Sequence, residues 1–295
     1  RVWLAIMVWC GGAAWAAQVA DVTTEPGVSA AAERWLPGKF VWADLYTTDP
    51  ADARRFYTEL FGWTASAVDG GWYVVLRKDG EPIAGIARHP VRQPQARRAR
   101  WVLYASVGDL PGTIARATAA GARVLVPPRT YIGRGAQAVL ADPQGAVIGL
   151  LHREGGDPPD FAAEFGEWSW AALLARDPAA AKGFYANVFG YEAVPDGRTA
   201  RTNDYILASG GYARGSLQPL PDRPGARPMW VGFVRVADVE TAAARANELG
   251  GRTLLAPKEP RPGLRIAVIA DPTGGTIGLV QVTASEPDEG EEGTP

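Results

Sequence analysis

The chain carries the same pattern twice, and this constrains its fold more than any other feature. Residues 42–63 read WADLYTTDPADARRFYTELFGW, and residues 170–191 read WAALLARDPAAAKGFYANVFGY. Further on, ADPQGAVIGLL (141–151) returns as ADPTGGTIGLV (270–280). One shift of about 128 residues superposes both pairs. That period is far longer than the roughly 20–50 residues of a solenoid unit, so each copy reads as a whole domain. The length of 295 residues agrees with two domains, and each copy is long enough to bury a core of its own.

Charge and cysteine content narrow the function classes. Lys and Arg number 30 against 32 Asp and Glu, a near balance that argues against the strong positive field phosphate binding needs. Nucleic acid is therefore not an expected partner. The single cysteine, Cys10, excludes an intrachain disulfide framework and a Cys-rich zinc site.

The termini read differently from the copies. Val2 to Trp9 is a short apolar run after Arg1, followed by Ala14-Trp15-Ala16, which predicts a signal peptide over 1–16 and export to the periplasm or medium. The run is too short for a membrane span. Lipid attachment at Cys10 is disfavoured by the bulky Trp9 beside it. Residues 17–37 read as a flexible leader, 154–166 as a linker, and the acidic 285–295 as a disordered tail. The two domains are assigned to 38–153 and 167–284.

Each copy divides again into two units of one order, giving an α+β chain. In the first unit a strand-like run, Phe40–Tyr46, precedes Asp49-Pro50, an N-cap followed by the proline that favours a first helical turn. Ala53, Phe56, Tyr57, Leu60 and Phe61 then recur at helical spacing, and Gly62 ends the helix. Strands are expected at 63–68, 72–78 and 82–88. The second unit offers a strand at 101–107, a helix at about 110–120, and strands near 122–126, 137–141 and 146–152. Asp-Pro-Gln-Gly (142–145) is the turn between the last two. The second copy repeats this plan from Trp168, with the cap Asp177-Pro178 and the turn Asp271-Pro272-Thr273-Gly274.

The Phe-Tyr helix, its Phe-Gly ending and the final Asp-Pro-x-Gly hairpin, in this order and twice over, resemble the glyoxalase/bleomycin-resistance/dioxygenase superfamily, the vicinal oxygen chelate proteins. The resemblance covers about residues 38–153 and 167–284. It implies two tandem domains, each of two βαβββ units curled into an open eight-stranded cup with the small-molecule site inside. A monomer that is internally a pseudo-dimer follows. Metal-dependent members place His or Gln, then His or Glu, then Glu on three strands of the cup. The matching positions here are Trp42, Val102 and Gly149, and in the second copy Trp170, Val231 and Gly278. None can bind a divalent cation. The two histidines lie elsewhere, His89 at the edge of an Arg-rich linker and His152 three positions past Gly149. No metal and no cofactor is expected.

Strand alternation predicts the cup lining. Val41, Ala43 and Leu45 should pack under the helices, with Trp42, Asp44 and Tyr46 in the first cup. Val102, Tyr104 and Ser106 share that side, Tyr73 and Gln137 join them from neighbouring strands, and Gly149 marks the last strand. In the second cup Asp44, Tyr46, Tyr104 and Ser106 become Ala172, Leu174, Phe233 and Arg235. That cup should be more apolar, a structural partner or a site in which Arg235 anchors an anion. The four recurring tryptophans, Trp42, Trp101, Trp170 and Trp230, read as packing or as stacking surfaces for a flat ligand. Arg88, Arg92, Arg97, Arg98 and Arg100 either border the cup mouth or form a solvated loop. Asp44, desolvated in an aromatic cup, is the candidate general base or acid, with Tyr104 beside it; two other readings make it a group that orients the ligand or a structural hydrogen-bond acceptor. Three functions follow: a binding protein for a small organic molecule, a metal-independent lyase, isomerase or hydrolase, and a degenerate scaffold.

Overall fold

The computed structural model describes residues 34–68, 72–89, 99–197, 203–222 and 224–283. The expected signal peptide, most of the leader, Arg92, Arg97, Arg98 and the acidic tail lie outside these residues. In the first half β1 (Phe40–Thr47), α1 (Pro50–Phe61), β2 (Thr64–Val68), β3 (Tyr73–Lys78) and β4 (Glu81–Arg88) form one unit. The second unit comprises β5 (Ala99–Ser106), α2 (Leu110–Ala119), β6 (Arg123–Tyr131), β7 (Gly135–Ala141) and β8 (Val147–Arg153). The second half repeats the order with β9 (Trp168–Ala175), α3 (Pro178–Phe189), β10 (Glu192–Pro195), β11 (Tyr205–Ser209) and β12 (Tyr212–Pro219), then β13 (Met229–Arg235), α4 (Val239–Glu248), β14 (Arg252–Arg261), β15 (Leu264–Ala270) and β16 (Thr276–Val282).

Each half closes its own cup. The strand order is β2-β3-β4-β1-β5-β8-β7-β6 in one sheet and β10-β11-β12-β9-β13-β16-β15-β14 in the other. The two units of a half meet through the antiparallel pairs β1–β5 and β9–β13. Both sheets stay open, with β2 and β6 at the edges of the first.

The helices form where the sequence supplies both a start and a stop. Asp49 accepts a hydrogen bond from the Asp52 amide at 3.1 Å, and Gly62 ends α1 with φ of 69°. Asp177 and Gly190 do the same for α3. The buried faces of all four helices join a single apolar core with residues from both sheets, among them Phe40, Leu45, Phe56, Trp101, Trp168, Phe184, Trp230 and Leu279. The cups therefore stand back to back over one core, each concave face turned away from it.

The repeated motifs are the seam between the halves. Tyr57 donates to Asp271 Oδ2 at 2.7 Å and accepts from Trp101 Nε1 at 2.8 Å. The mirror set has Tyr185 donating to Asp142 Oδ2 at 3.0 Å and accepting from Trp230 Nε1 at 2.9 Å. Each Phe-Tyr helix is thus tied to the Asp-Pro-x-Gly turn of the other half, while the aspartate's second oxygen holds its own turn. Burial, opposed by these hydrogen bonds, raises the Asp142 pKa.

Two expectations need correction. A bulge between Phe40 and Trp42 breaks strict alternation, so Phe40 enters the main core and Val41 turns to the cup side. The expected flexible leader does not reach residue 37: Trp35 stacks on His152 at 4.4 Å and donates to the Arg153 carbonyl at 2.9 Å. The linker is anchored too, because Asp160 pairs with buried Lys39 at 3.0 Å and Arg214 at 2.7 Å.

Glycine is required where Tyr104 crosses β8. A β-carbon on Gly149 would lie 2.2 Å from the Tyr104 ring, and one on Gly278 equally close to the Phe233 ring. Gly149→Ala should cost about 2 kcal/mol as the ring is forced aside, measured by urea unfolding. A cost near zero would show that the ring moves freely.

Candidate functional site

Asp44 is the centre of a packed polar cluster inside the first cup. Asp44 Oδ1 accepts from Tyr73 Oη at 2.6 Å and from Trp42 Nε1 at 2.7 Å. Arg134 Nη2 reaches Asp44 Oδ2 at 2.8 Å, and its Nη1 donates to Tyr73 Oη at 3.1 Å. The guanidinium lies over the Trp42 ring at 5.0 Å and the Tyr104 ring at 4.8 Å, a cation held between two π faces. Gly85 makes room for this arrangement, since a β-carbon there would meet the Tyr73 hydroxyl and the Asp44 carboxylate.

Arg134 comes from the tip of the β6–β7 hairpin. The Arg134 amide donates to the Tyr131 carbonyl, and Gly133 N–H donates to Glu154 Oε2 at 2.8 Å, which pins the tip. The sequence does not single out this arginine, because Pro127-Pro128 predicts that the strand ends at 126. An edge strand tolerates proline, and β6 carries register shifts between Val124 and Val126 and again before Arg129. The strand therefore runs on to Tyr131 and delivers the hairpin into the cup. In the second cup the matched positions are Ala172 and Gly263, so both members of the ion pair are missing together.

The cavity lies beside this cluster. About 780 Å³ of space is lined by Tyr46, Val102, Leu125, Val126, Val139 and Val147, with His89, Ala99 and Arg100 at its rim and Arg227 and Gly274 arriving from the second half. Tyr46 Oη and Tyr104 Oη share a hydrogen bond of 2.9 Å. Of the residues expected to contact a ligand, only Tyr46 and Val102 line this cavity. Trp42, Asp44, Tyr73 and Tyr104 are engaged with Arg134. Gln137 is buried with its Oε1 unpartnered, and Gly149 lies under the Tyr104 ring. Ser106 and Arg235 leave the expected lining altogether, because each sits at a strand end and is drawn to the linker: Ser106 Oγ donates to Asp157, and Arg235 Nη1 donates to the Ala163 carbonyl at 2.6 Å. The second cup is apolar as expected, with Ala172, Val231, Phe233 and Val280 at its centre.

Burial raises the pKa of three cup tyrosines, and the Asp44 charge adds to it: Tyr46 to about 12, Tyr73 and Tyr104 beyond the usual range. Tyr57, Tyr185 and Tyr191 are raised by burial as well. A raised folded pKa gives stability that is present below pH 10 and lost as pH rises through the folded value. Six of the nine tyrosines should therefore gain tyrosinate absorbance only together with alkaline unfolding. Complete tyrosine titration of a chain that keeps its folded circular dichroism would contradict this.

The three positions that carry metal ligands in related cups do not fit a metal here. Trp42, Val102 and Gly149 offer no donor for a divalent cation, and the Tyr104 ring occupies the space in front of Gly149. Among the described residues no group of three or more His, Cys, Asp or Glu is placed to hold one.

The two halves each match a known family. Residues 39–150 match the Glyoxalase/Bleomycin resistance protein/Dioxygenase superfamily, and residues 170–280 match the Glyoxalase-like domain. The chain belongs to this superfamily. The anthracycline biosynthesis protein DauV of Streptomyces sp. (strain C5) is 30% identical over 268 residues, 86% of this chain and 97% of that protein. The crystal structure of the 2,3-dioxygenase LapB from Pseudomonas sp. KL28 shares the fold with a TM-score of 0.58 at 15% identity, over 87% of this chain and 96% of its own. The Mn(II)-bound glyoxalase from Novosphingobium aromaticivorans does so with a TM-score of 0.56 at 16% identity, over 83% and 82%. Within this superfamily the present chain has two open cups on one core, only the first of them polar. No described helix is long and apolar enough to cross a membrane.

Proposed function

We propose that the chain binds a planar organic molecule of several rings in the mouth of the first cup, without a metal. The cavity carries this reading: about 780 Å³ walled by four valines, a leucine and Tyr46 is the size and character of a site for a drug-sized ligand. The relationship to an anthracycline biosynthesis protein supports a polycyclic aromatic ligand. Calorimetric titration of the full chain with a hydroxylated anthraquinone is the test. Binding with a negative heat-capacity change, lost when Val147→Trp fills the cavity from a partly exposed position, is expected. Equal binding by that variant would overturn the reading.

One observation favours a second reading, a metal-independent lyase, isomerase or hydrolase. Tyr46 lines the cavity as a neutral hydroxyl, its pKa raised by burial to about 12, and can donate to a ligand carbonyl. Asp44, held by Trp42, Tyr73 and Arg134 behind it, serves this reading only as an anchor. In an enzyme Tyr46→Phe would abolish turnover and keep binding. Export is part of the proposal as well and rests on the apolar start and Ala14-Trp15-Ala16. N-terminal sequencing of the mature protein should place its start after Ala16.

A further inference from the structure

We propose that the mouth of the first cup is an anion clamp completed by the second half, so that its ligand is an aromatic molecule bearing a carboxylate, sulfonate or phosphate at one edge. The inference rests on the first cup being the ligand site and adds the charge and orientation of what enters it. Apart from Tyr46, the charged or titratable residues lining the cavity are Arg100, Arg227 and His89, and no aspartate or glutamate is among them. Composition does not produce this, since the chain as a whole has a formal net charge of −2.

The two arginines come from opposite halves. Arg100 stands at the start of β5, and Arg227 just before β13. Both are exposed, and neither has an ion pair or a side-chain hydrogen bond among the described residues. Three other arginines at the cups or the linker are committed: Arg134 to Asp44, Arg214 to Asp160, and Arg235 to the Ala163 carbonyl. Two uncommitted cations at one apolar cavity leave a positive field without a counter-charge, and an anionic ligand supplies it. Gly274, which lines the same cavity, belongs to the turn that Tyr57 holds through Asp271, so the seam joins the second half to the cavity wall. The aromatic body then lies against Tyr46 and the valines while its acidic group faces the rim.

Two fluorescent probes that differ by a single sulfonate test this: 8-anilinonaphthalene-1-sulfonate and the neutral N-phenyl-1-naphthylamine. The full chain should bind the sulfonate roughly fivefold more tightly than the neutral probe. That preference should weaken with added salt, and the double variant Arg100→Gln/Arg227→Gln should abolish it while leaving neutral-probe binding unchanged. Equal binding of the two probes, unaltered in the double variant, overturns the clamp and leaves the cavity reading standing. Binding of neither probe, or binding that Val147→Trp does not reduce, overturns the cavity reading and the clamp with it.

Discussion

Arg134→Gln should destabilise the folded chain by about 3 kcal/mol, the low end of what breaking a buried ion pair costs. The low end applies because the Arg134 side chain keeps 16% of its surface exposed, while Asp44 keeps 2%. The loss comes less from the missing attraction than from the Asp44 carboxylate left charged inside the cup, with Trp42 and Tyr73 as its remaining donors. Arg134 also fills the gap between the Trp42 and Tyr104 rings, so its removal loosens the packing that separates Asp44 from the cavity. The double variant Asp44→Asn/Arg134→Gln removes both charges and should recover about half of the loss. Urea unfolding of the four proteins in the cycle reads both quantities. A single-variant cost below about 1 kcal/mol, or a double variant no better than the single, would show that the pair is a loose surface contact.

The seam gives the second large effect. Tyr57→Phe and Tyr185→Phe each remove a hydroxyl that stands between an indole donor and a buried carboxylate, at a cost of about 2 kcal/mol apiece. Combined, they should lower stability by about 4 kcal/mol within a single unfolding transition, because the core is shared between the halves. The Tyr185→Phe cost also depends on pH. Asp142 has a raised folded pKa, caused by burial, and its bond to Tyr185 stabilises the ionised form. A raised pKa contributes stability that is full below the unfolded value of 3.8 and is lost as pH rises through the folded value. Losing the Tyr185 bond therefore weighs most at neutral pH and shrinks as Asp142 becomes protonated in acid. Unfolding at the two conditions checks this; an identical cost at both would remove Asp142 from the seam.

Most of the fold is legible in the sequence for a physical reason. A cap such as Asp49-Pro50, a stop such as Gly62 and an Asp-Pro-x-Gly turn are local signals, and duplication prints each of them twice. The site is less legible because it depends on two departures from regularity. The bulge at Val41 moves one side chain across the sheet, which alternation from Trp42 alone does not reveal. The prolines at 127 and 128 make an edge strand look like its end, which hides the hairpin that carries Arg134. The rim is hidden for another reason. Arg100 stood among five linker arginines with nothing to single it out, and Arg227 lies about 127 positions away in the other copy. Only the back-to-back packing of the cups brings the two to one cavity. The contrast between cups, by comparison, is plain in the sequence. Asp44 against Ala172 and Tyr104 against Phe233 already separate a polar cup from an apolar one.

The central claim is that the first cup takes an organic molecule and no metal. Native mass spectrometry of the full chain, purified without chelator and titrated with a hydroxylated anthraquinone, tests it most directly. The account predicts a 1:1 complex that survives added chelator and disappears in Val147→Trp, with no stoichiometric metal on the free chain. A bound metal ion that chelator removes, taking the ligand with it, would contradict the account.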